Sequence, residues 1–238
     1  MSRIKNLGLG KKLFLSVLGI VLLSNLATSI LIYRKVHETT KTNEVKNLKA
    51  IADKFHAVTD AFYNSNVLNL EHAINVVKEK FPIDQLALSS ETTEFEAINQ
   101  ITKEAQTLKL NNLTFKGEKI LQKYTDVDKI GSNTNTAVTF FQKIEGGLLR
   151  ISTNILKTNG QRATGTFIPS ESPVYKKIMN QEVFNGRAFV VNQWYLTVYS
   201  PLVKNGEVIG ALFVGKAEAN LNQLKKQIKK ELIGESGY

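Results

Sequence analysis

The stretch Trp194-Tyr195-Leu196-Thr197-Val198-Tyr199-Ser200-Pro201-Leu202-Val203-Lys204-Asn205-Gly206-Glu207-Val208-Ile209-Gly210-Ala211-Leu212-Phe213-Val214 decides the fold. Its flanks are rich in β-branched and aromatic residues, and Asn205-Gly206 is a two-residue hairpin signal between them. Trp194–Val203 and Val208–Val214 therefore read as paired strands. Period-two alternation puts Tyr195, Thr197 and Tyr199 on one face of the first strand and Trp194, Leu196 and Val198 on the other.

Upstream the same texture continues. Val183–Val191 reads as a strand, and Pro173 opens a short helix through Met179. Arg162–Ile168 and Leu148–Ile155 are strands about the turn at Asn159-Gly160, and Glu145-Gly146-Gly147 links the second of them to Val138–Ile144. Three strands, a short helix and three strands predict an antiparallel sheet. With helices packed on it, the class is α+β. Nearer the N terminus, Lys116-Gly117-Glu118 between Leu113-Thr114-Phe115 and Lys119-Ile120-Leu121 is hairpin-like. Ser90–Leu108, with Phe95, Ile98, Ile101, Ala105 and Leu108 on one side, predicts a helix. Ala217–Leu232 predicts a closing helix through Leu221, Leu224, Ile228 and Leu232, its lysines forming a solvated face.

Lys35 to Phe81 reads as one long helix. Val45, Leu48, Ile51, Phe55, Val58 and Phe62 recur at spacings of three and four, Asn64-Ser65-Asn66 interrupts the stripe at a candidate kink, and Val67, Leu70, Ile74, Val77 and Phe81 resume it before Pro82. Such a stripe needs cover, either from its own domain or from a second copy of the chain. Before it, Leu13–Tyr33 carries no charge over 21 residues. As a helix it spans roughly 31 Å, enough to cross a bilayer. Ala27-Thr28-Ser29 offers a weak signal-peptidase pattern, but Ile30-Leu31-Ile32 prolongs the apolar run past it and favours a retained span. Inside the run, Ser24/Thr28 and Asn25/Ser29 each share a helix face, placed to bond either across a helix pair or to their own backbone.

The net charge is +10, with no cysteine among 238 residues. Disulfide staples and thiolate metal sites are excluded. Arg3, Lys5, Lys11 and Lys12 precede the span and Arg34, Lys35, Lys41 and Lys46 follow it, so positive-inside counting nearly ties. The basic balance beside a span fits anionic lipid or ligand; no nucleic-acid partner is expected. No phosphate loop, nucleophile elbow or H-E-x-x-H motif occurs. His37, His56 and His72 are too far apart to share a metal on one helix. No catalytic residue, metal or cofactor is expected. What remains is binding: Arg187 on Val183–Val191 needs an acceptor, as do Arg150 and Arg162 on neighbouring strands. An acceptor is either a structural carboxylate or a ligand anion. Beside Tyr195 and Tyr199 these arginines would hold a small carboxylate by bidentate contacts, with Arg187 the principal anchor.

Several runs resemble the Cache 3/Cache 2 fusion sensors. They are Thr139–Ile144, Gly146–Asn154, Arg162–Thr166, Ser172–Tyr175, Gly186–Asn192, Trp194–Pro201 and Gly210–Gly215, in order along about Phe115–Lys216. The resemblance implies an antiparallel, PAS-like Cache sheet and the extracytoplasmic input part of a bacterial methyl-accepting chemotaxis receptor, a signal-transduction protein that is not an enzyme. It implies a cytoplasmic N terminus and a single pass through the inner (plasma) membrane. It implies a small-molecule ligand on one sheet face; the paired polar residues in the span and the Val45–Phe62 stripe point to a parallel homodimer. Asn192, closing the Gly186–Asn192 run, joins Arg187, Tyr195, Tyr199, Arg150 and Arg162 as a candidate ligand contact. The organisation expected is a cytoplasmic tail (1–12), a transmembrane helix (13–33), a juxtamembrane helix (34–82) and a sensor domain (83–216). A connecting helix and the start of a second Cache unit (217–238) follow. A full receptor would continue into a second span, a HAMP linker and a signalling coiled coil, so this chain is expected to be part of a longer protein. A kinase or cyclase input would look the same, and a tethered interaction protein without ligand is the other class.

Overall fold

Helix α1 spans Leu9–Lys80 in the computed structural model, which describes residues 8–218 together with Lys226 and Lys230. The chain divides into two compact units, one to Ala57 and one from Val58. In the first, all that is described from Leu9 is α1, and Leu13–Tyr33 lies exposed along it, Phe14, Ile20 and Leu23 among the barest side chains. This is a helix long and apolar enough to cross a membrane by length and composition. Thr28 Oγ1 donates to the Ser24 carbonyl at 2.5 Å, so that hydroxyl is satisfied within its own helix.

The second unit contains the rest of α1 and a nine-stranded sheet. Helical hydrogen bonding runs through Asn64-Ser65-Asn66 rather than breaking there, and Asn66 Nδ2 donates back to the Phe62 carbonyl at 2.7 Å within the same helix. Strands β1 (Leu86–Asn99), β2 (Ala105–Phe115) and β3 (Glu118–Lys119) come first, then helix α2 (Thr125–Thr134), β4 (Ala137–Ile144), β5 (Gly147–Thr153) and β6 (Thr166–Pro169). Helix α3 (Pro173–Met179) and strands β7 (Phe184–Val190), β8 (Gln193–Lys204) and β9 (Glu207–Ala217) complete it. The spatial order is β3-β2-β1-β6-β5-β4-β9-β8-β7, with every neighbouring pair antiparallel except β1 and β6. The chain thus has the α+β class expected, a long apolar N-terminal helix and a large, mostly antiparallel sheet.

The expected helix over Ser90–Leu108 is instead the β1–β2 hairpin. Its three-and-four spacing came from joining two strands across a turn. Within β1, Thr93, Phe95 and Ala97 are sheltered in turn while Glu94 and Glu96 are exposed, which is strand periodicity. Asn99 breaks the run by accepting from the amides of Ile101 at 2.8 Å and Thr102 at 3.3 Å. Helix α2 was not foreseen; only Val127 and Ile130 give it large apolar side chains in the core. The strand expected over Arg162–Ile168 is regular only from Thr166. Apart from Ala217, Glu218, Lys226 and Lys230, the expected closing helix and Ile233–Tyr238 lie outside the described residues.

The sheet buries both faces. On one, Leu70, Ala73, Ile74 and Val77 of α1 pack with Leu149, Ile151, Leu196, Val198, Leu212 and Val214. Phe81 pins the helix end edge-on between Phe115 and Phe140, with ring centroids at 4.7 and 4.8 Å. Each large side chain so buried contributes about 1.5–3 kcal/mol. On the other face, α3 covers Phe141, Leu148, Ile168, Tyr195, Tyr199 and Phe213. The alternation read along Trp194–Val203 is therefore the division between two cores.

Candidate functional site

The α3 face of the sheet carries the chemistry. On β5, Leu148 and Arg150 alternate towards it, and register places Arg150 opposite Phe141 of β4. Arg150 is 1% exposed, its guanidinium carbon 4.9 Å from the Phe141 ring centroid. One Nη1 bond goes to Thr166 Oγ1, while Nε is buried without a hydrogen-bond partner. Among the described residues no aspartate or glutamate pairs with it. Burial pushes its pKa down to about 10, against the opposing influence of Tyr199 and Tyr195. A cation held this way lacks the counter-charge that normally offsets desolvation.

Tyr199 and Tyr195 stand on the same face through the period of β8. Burial raises both phenol pKa values. The Tyr199 ring lies 4.8 Å from Phe213, 5.9 Å from Phe184 and 6.0 Å from Phe141, on which Arg150 stacks. Tyr195 accepts a hydrogen bond from Gln193 Nε2 at 2.9 Å. Arg150, Tyr195 and Tyr199 are thus brought together.

The other expected residues have partners of their own. Arg187 is the register partner of Leu196 rather than of Tyr195 or Tyr199, and it lines, with Tyr199, one of the cavities described below. Its guanidinium donates to Glu218 at 2.5 and 2.9 Å and stacks on Trp194 at 4.8 Å. Arg162 donates to both oxygens of Asp128, at 2.6 and 2.8 Å, and to the Thr153 carbonyl at 3.0 Å. These two arginines have structural carboxylates, whereas Arg150 has none among the described residues. Asn192 is exposed in the β7–β8 turn and its amide donates to the Val190 carbonyl at 2.7 Å.

Two cavities open beside the tyrosines. One, of about 470 Å³, reaches Tyr195 and is lined mainly by polar groups such as Ser132, Asn135, Asn154 and Lys216. The other, of about 460 Å³, lies against Tyr199. It is walled by Ile168, Val174, Phe184 and Ala188, and Gln100 and Ile101 of the β1–β2 turn also line it. Sequence reasoning did not find Phe141, Thr166 or Gln100, because each joins the site through a partner in another strand or turn.

No clustered His, Asp, Glu or Cys set able to hold a metal occurs among the described residues. A two-sided α+β sheet with a buried cation, and with cavities against the tyrosines beside it, is an architecture suited to binding a ligand. The family model of the Cache 3/Cache 2 fusion domain matches residues 33–238, and the chain belongs to that family. A search of curated proteins gave no match. Cache membership marks an extracellular sensing input domain of a kind that binds small molecules and is in general not enzymatic.

Proposed function

We propose that the chain is the small-molecule-sensing input part of a transmembrane chemotaxis receptor and that its ligand is a small carboxylate held by Arg150 with Tyr195 and Tyr199. The observation that carries this reading is a fully buried guanidinium with no carboxylate partner among the described residues and an Nε–H donor left unsatisfied there. A ligand carboxylate supplies both the charge and the acceptor. Residues 13–33 would span a bacterial inner membrane with residues 1–12 inside, and 34–82 would form the stem of a sensor at 83–216. Pairing of two copies would cover the exposed stripe at Val45 and Leu48. Ligand uptake on one face of the sheet would shift strands against the part of α1 packed on the other.

The test uses the full chain in lipid nanodiscs, melted with and without a panel of carboxylates and their amides. A binding carboxylate stabilises the wild type, and its amide does not. Arg150→Met should lose that response, weakening binding by about 2–5 kcal/mol. Without ligand it should melt at the same temperature or higher, since a buried unpaired charge has been removed. A variant that melts far earlier and still responds to the carboxylate contradicts the reading.

A further inference from the structure

From the walls of the cavity at Tyr199 we infer that the ligand is a monocarboxylate with an apolar body and no ammonium group, an inference that rests on the carboxylate reading of Arg150. Tyr199 is the side chain shared by the two parts of the site: it lines the cavity, and its ring lies 6.0 Å from Phe141, against which Arg150 is stacked. The cavity walls are dominated by Ile101, Ile168, Val174, Phe184 and Ala188. At about 460 Å³ the space suits the body of a small organic acid rather than a bare anion.

Charge decides what that body carries. None of the described residues lining this cavity, or the polar one at Tyr195, is an aspartate or glutamate. The charged side chains lining them are Lys103, Arg187 and Lys216, all cationic. An α-amino acid would bring its ammonium into apolar surroundings with no counter-ion. Gln100 Oε1, a buried acceptor on the wall without a partner, is neutral, and a desolvated ammonium has three donors and a full charge to satisfy. An amine-free acid has no such group. The aliphatic and aromatic walls then act on its tail by burial alone, at about 0.8 kcal/mol for each methylene.

The experiment titrates the full chain in nanodiscs with three molecules of one carbon skeleton: 4-methylpentanoate, leucine and 4-methylpentanamide. The acid should bind, and leucine should bind at least about tenfold more weakly, the equivalent of about 1.4 kcal/mol. The amide should not bind. Leucine binding as well as the acid overturns this inference and leaves the carboxylate reading standing; the amide binding as well as the acid overturns both. Failure of the acid while another carboxylate of the panel binds overturns the inference alone. Ala188→Leu, which narrows the cavity without touching Arg150, should weaken 4-methylpentanoate binding, and an unchanged affinity in a variant of wild-type melting temperature contradicts the proposed tail site. Should that variant fold poorly, the three-ligand comparison on the wild type decides the matter by itself.

Discussion

Tyr199 and Arg150 make opposite demands on alkaline stability. Below its ordinary pKa of 10.0 the Tyr199 phenol is protonated in both folded and unfolded chains. As pH rises past that value the unfolded chain gives up the proton while the buried phenol keeps it. The folded state then binds more protons, so stability present below pH 10 is lost on going higher. Arg150 acts in reverse. Its folded value of about 10 lies below the ordinary 12.5, so between them the unfolded chain binds more protons and stability rises. Tyr199→Phe removes the first effect, keeps the ring and leaves the second. Thermal midpoints of the variant should therefore fall less than those of the wild type from about pH 9 to 11; parallel curves would contradict the buried phenol. At this scale the sequence showed three arginines in or beside strands but could not tell them apart. What distinguishes them is carboxylates far along the chain: Asp128, 34 residues from Arg162, and Glu218, 31 from Arg187. Arg187 lines the cavity at Tyr199 but stands opposite Leu196, which alternation alone does not reveal. Alternation fixes faces within a strand, but register between β7 and β8 fixes which faces coincide, and a slip of one residue exchanges them.

Among the elements, those with chemically explicit turns were legible. Asn205 and Gly206 both adopt positive φ, 53° and 81°, the backbone of the two-residue hairpin their identities imply. Pro173–Met179 formed where its N1 proline and the Ser172 cap placed it. The β1–β2 hairpin was not legible, because its turn at Asn99–Glu104 lacks a glycine or proline and apolar residues on both sides of it counterfeit a helical stripe. The long helix was read correctly, and the cover for each half of its stripe differs. Leu70, Ile74 and Val77 have the sheet, whereas Val45 and Leu48 are 58% and 67% exposed. A parallel homodimer would cover the latter. Single cysteines along Lys41–Asp60, on a chain that has none of its own, should cross-link in membranes with a helical period. Absence of cross-linking at every position, or uniform cross-linking with no period, counts against pairing through this stripe.

Over the whole molecule, the family match from residue 33 and the uncharged run of 13–33 join an extracellular sensing domain to a candidate membrane helix. The α3 face and the α1 face are two sides of one set of strands. Leu196 and Val198 touch the helix core while Tyr195 and Tyr199, interleaved with them, touch the other. A ligand that moved Tyr199 by closing on Arg150 would therefore pull on a strand whose opposite side chains hold α1, which is the coupling proposed above. The account depends most on Arg150 being the anion's anchor. The most direct measurement follows arginine Nε–H signals by side-chain nitrogen NMR on the full chain in nanodiscs, with the Arg150 signal assigned by its loss in Arg150→Met. On titration with the panel carboxylate that stabilises the protein most, the Arg150 signal should move and saturate as its orphaned Nε–H gains an acceptor, while that of Arg162, whose Nη groups hold Asp128, stays in place. Saturating ligand that leaves the Arg150 signal still would contradict Arg150 as the anchor, whatever the other arginine signals do.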